Sequence, residues 1–147
     1  MNSFILDNSV TMRWLLATPQ EADQRYAEVV LQNLVEIEAT VPHLWHLEVV
    51  NVLVIAEKRG ELVPAEVERF LTQLEGLPVQ VDSLTAYQAF SRTISLARAC
   101  KLSSYDAAYL ELAIRTGLPL ATLDKDLIKA AGQAEVSLYL GGITNNR

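Results

Sequence analysis

The chain has 147 residues, half of them hydrophobic and a fifth charged, which fits one folded domain over residues 1–147 and argues against disorder. Acidic residues outnumber basic ones 18 to 12, and the formal net charge of −6 argues against binding nucleic acid through a broad basic surface. It leaves open a site that holds divalent cations between carboxylates and a phosphate.

The apolar run from Val49 to Ala56 is broken by Asn51 and preceded by Glu48, so no membrane span is expected. The start, Met1 to Asp7, lacks the basic and long apolar parts of a secretory signal. Cys100 stands alone and cannot form an internal disulfide, so a reducing cytoplasm is the expected setting.

Phe4-Ile5-Leu6 reads as a short strand ending at Asp7, with Asn8 or Ser9 capping a helix through Trp14. Between Gln20 and Glu38, apolar residues at Tyr26, Val29, Val30, Leu34 and Ile37 predict an amphipathic helix, followed by a brief strand at Val41 before Pro42. Leu44 to Lys58 is a third helix with Gly60 at the position after its cap, and Pro64 opens a fourth to about Leu74. Val79 to Asp82 alternates as a strand, and Thr85 to Cys100 has helical spacing. Ser103 or Ser104 caps a sixth helix that runs to Thr116 and ends at Gly117. Leu120 to Leu123 follows as a buried strand ending at Asp124, and Lys125 to Ala131 as a short helix. Val136 to Leu140 closes as a strand, with a loose tail from Gly141. Short apolar strands separated by helices predict an α/β fold, a parallel sheet covered on both faces, because parallel strands need crossover connections. No repeat or linker interrupts it.

In an open parallel sheet, ligands gather beyond the carboxyl ends of the strands, and Asp7 and Asp124 each follow a strand directly. Each also has a plain use as a cap or turn residue. Glu48 shares the stripe Leu44, Glu48, Asn51, Ile55 with apolar residues, which predicts a carboxylate and an amide facing inward. A buried carboxylate needs either a partner such as Arg13 or Arg98, or a metal. Asp106 lies in the first turn of its helix, where the dipole favours it, and Tyr109, Leu110 and Ala113 on the same face turn it toward the protein. Asp126 either joins this group or complements the last helix.

Carboxylates so gathered repel by roughly 4 kcal/mol per close pair at an effective dielectric near 20, so the group requires a cation. Oxygen donors without His or Cys suit Mg²⁺ or Mn²⁺ rather than zinc. One or two such ions can lower the pKa of a bound water, align it for in-line attack on phosphorus and neutralise the leaving oxygen. His43 and His46 flank Trp45 and are read as packing or capping residues. Trp14, Trp45 and Tyr87 are read as core aromatics rather than base-stacking platforms.

Four stretches in order, Phe4-Ile5-Leu6-Asp7-Asn8-Ser9, Leu47-Glu48-Val49-Val50-Asn51-Val52-Leu53, Tyr105-Asp106-Ala107-Ala108-Tyr109 and Ala121-Thr122-Leu123-Asp124-Lys125-Asp126-Leu127, resemble a PIN domain, and most nearly the VapC-like toxins of toxin–antitoxin pairs. The resemblance spans nearly the whole chain. It implies a three-layer α/β/α fold and endonucleolytic cutting of RNA with Mg²⁺ or Mn²⁺, often as a homodimer. By position it implies Asp7, Glu48, Asp106 and Asp124 as metal-binding acids, with Ser9, Asn51, Thr122 and Asp126 in support. It also implies a cognate antitoxin that blocks the site, often through a basic side chain. Asn8 departs from the family, which more often has a small or hydroxyl residue there. Two other functions compete with this one. A Mg²⁺-dependent phosphatase of the haloacid dehalogenase type needs a second acid where Ser9 stands, and a non-catalytic binding module of the same fold would not need all four acids.

Overall fold

The structure, a computed structural model, describes residues 3–143. Strand β1 (Ser3–Leu6) lies inside a four-stranded, all-parallel sheet of order β3-β2-β1-β4, with β2 at Glu38–Val41, β3 at Val79–Val81 and β4 at Leu120–Ala121. Phe4, Ile5 and Leu6 are fully buried because β1 has neighbours on both sides and helices cover both faces, giving three α/β/α layers. The register sets Phe4 beside Ala39 and Ile5 beside Leu120.

Helix α1 (Asn8–Thr11) starts directly from Asp7 and tightens into a 3₁₀ turn over Met12–Trp14. Asp7 is therefore the residue at the N-terminal boundary, in place of the expected Asn8 or Ser9, although its carboxylate makes no capping bond. Helix α2 (Glu21–Asn33) turns Tyr26, Ala27 and Val30 inward and stops earlier than expected, yielding Glu38–Val41 to the sheet. Trp14 Nε1 donates to Ala27 O at 2.8 Å, fixing the 3₁₀ turn to α2.

Helix α3 (Trp45–Lys58) buries Trp45, Val49, Leu53 and Ala56, and Gly60 adopts φ 74° just past its cap as expected. Helix α4 (Pro64–Glu75) begins with Pro64 and with the Glu66 side chain accepting the Val63 N–H at 3.0 Å. The expected helix from Thr85 to Cys100 is present in three parts: α5 (Thr85–Gln88), a π-helical turn over Ala89–Thr93 and α6 (Ile94–Cys100). Helix α7 (Ser104–Thr116) is capped by Ser103 and closed by Gly117 at φ 73°. Helix α8 (Lys125–Gln133) follows β4.

The expected strand from Val136 to Leu140 is not formed. Only Leu138 bridges to Leu120, after which the chain turns through Tyr139–Gly141 with Leu140 at φ 57°. Tyr139 leaves the sheet direction to stack on Phe4, with ring centroids 4.1 Å apart, and its backbone carbonyl accepts from Tyr26 Oη at 2.8 Å. The segment expected to be loose from Gly141 is thus hydrogen-bonded into a turn through Gly142, and residues 144–147 lie outside the described residues. None of the described helices is long and apolar enough to cross a membrane.

Candidate functional site

From β1 the chain moves outward to β2 and β3, then returns to the other side of β1 to lay down β4. The connections therefore diverge between β1 and β4, and an open sheet has its crevice at such a switch point, beyond the strands' carboxyl ends. Asp7 leaves β1 there, and Thr122, Leu123 and Asp124 leave β4. Asp7 is 4% exposed, and its N–H donates to Ala121 O at 3.0 Å. Its Oδ2 accepts from both Ser9 Oγ and Thr122 Oγ1, each at 2.6 Å. Ser9 Oγ accepts from the Leu123 N–H at 2.9 Å, and Thr122 Oγ1 from the Asp124 N–H at 3.1 Å. Two hydroxyls tie the strand ends together and fix one carboxylate oxygen, and neither brings a positive charge.

Glu48 is half-buried in the first turn of α3, and its Oε1 accepts from Tyr109 Oη at 2.6 Å. The partner is a neutral phenol in place of the arginine, Arg13 or Arg98, that the sequence offers as one alternative. Asp106 is the third residue of α7, its N–H donating to Ser103 Oγ at 3.1 Å. Asp124 is the N-cap of α8, its Oδ1 accepting the Leu127 N–H at 2.9 Å, so its plain capping use is met along with its place at the switch point.

The four acids are near enough to act on one another. Burial pushes the Asp7 carboxyl up to about 6, against the pull of its two hydroxyl donors, and the charges of Glu48 and Asp124 add to the rise. Burial likewise pushes Asp106 up to about 6, with Asp124, Asp7 and Asp126 contributing. Glu48 is also raised by burial, opposed by the Tyr109 bond and reinforced by Asp106. No cation compensates this charge: the two ion pairs among the described residues both belong to Arg115, which pairs with Asp82 and Glu111.

These features fit a hard cation in donor chemistry, since the facing atoms are oxygens and the negative charge is unpaired. Asn8, next to Asp7, adds a buried amide oxygen with no hydrogen-bond partner among the described residues. The acids converge without closing: among the described residues no three His, Cys, Asp or Glu side chains are drawn together tightly enough to hold an ion as they stand.

A family model described as PIN domain matches residues 4–133. The chain belongs to the PIN-domain family. The crystal structure of PAE2754 from Pyrobaculum aerophilum is similar to it, with a TM-score of 0.61 and 22% sequence identity over 88% of this chain and 86% of that one, a likeness of fold. No curated protein matches the sequence. PIN domains are typically nucleases that act on nucleic acids, and they commonly bind divalent metals.

Within this PIN domain the supporting residues named from the sequence divide. Ser9 and Thr122 lie directly on Asp7. Asp126 is exposed and acts on Asp106 only through its charge. Asn51 corrects the sequence reading: it is exposed, as Ile55 partly is, because α3 turns Trp45, Val49, Leu53 and Ala56 inward and leaves the Glu48 stripe at the margin. His43 and His46 are also exposed, His46 meeting the edge of Trp45 with centroids 4.9 Å apart. Trp14 and Trp45 pack with the core as expected, but Tyr87 is largely exposed. Sequence reasoning took Tyr109 only as a side chain of the buried face. The available signal was a buried tyrosine hydroxyl, which must find a partner, one turn after Asp106.

Proposed function

We propose that this PIN domain is a Mg²⁺- or Mn²⁺-dependent endoribonuclease that hydrolyses RNA phosphodiester bonds, and that it serves as the toxin of a toxin–antitoxin pair. The observation that carries the reading is the uncompensated carboxylate charge of Asp7, Glu48, Asp106 and Asp124 at the β1–β4 switch point, where burial and repulsion hold two of them near 6. A protein without a ligand for that charge would gain stability by losing it. Asp7, Glu48, Asp106 and Asp124 would hold the ion. When bound, the ion supplies acidity to a water and neutralises charge on the phosphate.

The chain's own residues do the positioning. Ser9 and Thr122 hold Asp7 by one oxygen, and among the described residues no protein donor reaches its other oxygen. The N-terminus of α8, behind Asp124, and that of α7, behind Asp106, bring partial positive charge to the crevice, which favours an approaching phosphate. The family reading adds a homodimer and a small basic antitoxin. The net charge of −6 suits such an antitoxin, and the exposed Phe90 and Tyr87 are apolar surface that an assembly would bury.

Incubating the purified protein with a structured RNA, with Mg²⁺ or with a chelator, tests the activity. Internal cuts are expected with Mg²⁺ alone. Asp7→Asn should lose more than the roughly 100-fold that removal of an outer partner of a metal site costs at most. Cutting that persists in the chelator, or in Asp7→Asn, would overturn the proposal.

A further inference from the structure

We propose that Tyr109 is a positioning residue that holds Glu48 in the acidic cluster and fixes its place relative to Asp106, a role that rests on the cation-binding reading above. Tyr109 is fully buried, and its hydroxyl therefore has to bond inside the protein. Its bond is to a carboxylate, Glu48 Oε1, 61 residues away in sequence and 2.6 Å in space, the short range of a charge-assisted contact.

The placement gives the bond its consequence. Tyr109 lies one turn after Asp106 on α7, while Glu48 lies at the start of α3. A single hydrogen bond thus links two helices that each carry one acid of the cluster. Among the described residues it is the only hydrogen bond to the Glu48 side chain, so Oε2 keeps no protein donor.

The type of donor matters as much as its position. A phenol is neutral at ordinary pH, so it fixes the carboxylate without cancelling its charge. A lysine or arginine here would hold Glu48 equally well and remove the charge a cation needs. Phenylalanine would fill the same volume and hold nothing. Tyr109 does for Glu48 what Ser9 and Thr122 do for Asp7.

Metal-free wild-type protein, Tyr109→Phe, Glu48→Ala and the double variant are titrated with Mn²⁺ by calorimetry, with folding checked by circular dichroism and melting. Tyr109→Phe is expected to weaken Mn²⁺ binding roughly 10- to 100-fold, the usual range for an outer partner of a metal ligand. In the Glu48→Ala background the same change should have no further effect, since the tyrosine acts through Glu48. Wild-type binding with an unchanged affinity in folded Tyr109→Phe overturns this inference alone, as does an equal loss in both backgrounds. Failure of the wild type to bind Mn²⁺ overturns the cation-binding reading and this role with it. A second measurement needs no variant: the Tyr109 hydroxyl proton should give a downfield magnetic resonance that shifts on adding Mg²⁺. A resonance indifferent to Mg²⁺ overturns the proposal even if the phenylalanine variant does not fold.

Discussion

Asp82 and Glu111 share one guanidinium, whereas Asp7 and Glu48 are held by three hydroxyls and no cation. Arg115 donates to both oxygens of Asp82, at 2.9 and 2.8 Å, and to both oxygens of the buried Glu111, at 2.7 and 3.0 Å. That pairing holds the Asp82 carboxyl below its ordinary range, and the two carboxylates in turn raise Arg115. Asp7, Glu48 and Asp106 shift the other way, upward, because burial and like charge act on them without a counter-ion. The difference separates two uses of a buried acid. A cation partner neutralises it and ties β3 to α7, while a hydroxyl partner sets its position and leaves its charge available.

The largest effect that should break this contrast is loss of the cation. Arg115→Met leaves Glu111 buried without a partner and should lower stability by about 3–5 kcal/mol, read as a melting temperature on the order of 10 °C lower. RNA cutting by the folded fraction should be kept. Cutting lost with no change in melting would show that the Arg115 region belongs to the site.

A smaller effect comes from pH. Asp7 and Asp106 bind protons more tightly folded than unfolded, so the stability they contribute is greatest at acid pH and is lost as pH rises through about 6. Asp82 works in the opposite sense, its stabilisation present above its unfolded pKa of about 4 and lost as pH falls below it. Metal-free protein should therefore gain about 1–2 kcal/mol between pH 8 and pH 5, from Asp7 foremost. Denaturant melts at the two pH values measure this, and a flat or opposite response would mean that the cluster is already compensated.

The smallest change sharpens the same comparison. Asp106→Asn removes one repelling charge and should stabilise the metal-free protein by about 1 kcal/mol, while reducing the rise in melting temperature that Mg²⁺ gives the wild type. An equal Mg²⁺ response in both proteins would place the ion elsewhere.

Much of the fold was legible because a parallel strand buried on both faces must be apolar along its length. Phe4-Ile5-Leu6 and Leu120-Ala121 declared themselves this way, and the acid after each strand followed from the turn into a helix. The orientation of α3 was not legible. Leu47, Val50 and Val54 are apolar and exposed, so that helix is hydrophobic nearly all round and its period does not say which face is buried. Glu48 was found as a polar residue in an apolar stretch, but Asn51 was carried inward with it. The failed strand at Val136–Leu140 has a similar cause: its composition suits a strand, but Glu135 is the left-handed residue that closes α8, and at the far end the chain turns through Leu140 where Tyr139 stacks on Phe4. Two partners of the acids, Thr122 for Asp7 and Tyr109 for Glu48, come from far along the chain, and no local pattern encodes such pairs.

The bond from Thr122 to Asp7 spans 115 residues. A ribosome adding about 5–20 residues per second needs on the order of ten seconds to travel that distance. For that interval the newly made chain has Asp7 but lacks the strand and the hydroxyl that complete its surroundings. The crevice is therefore completed only once both β1 and β4 exist, and a chain that ends before β4 carries Asp7 without the hydroxyl that fixes it.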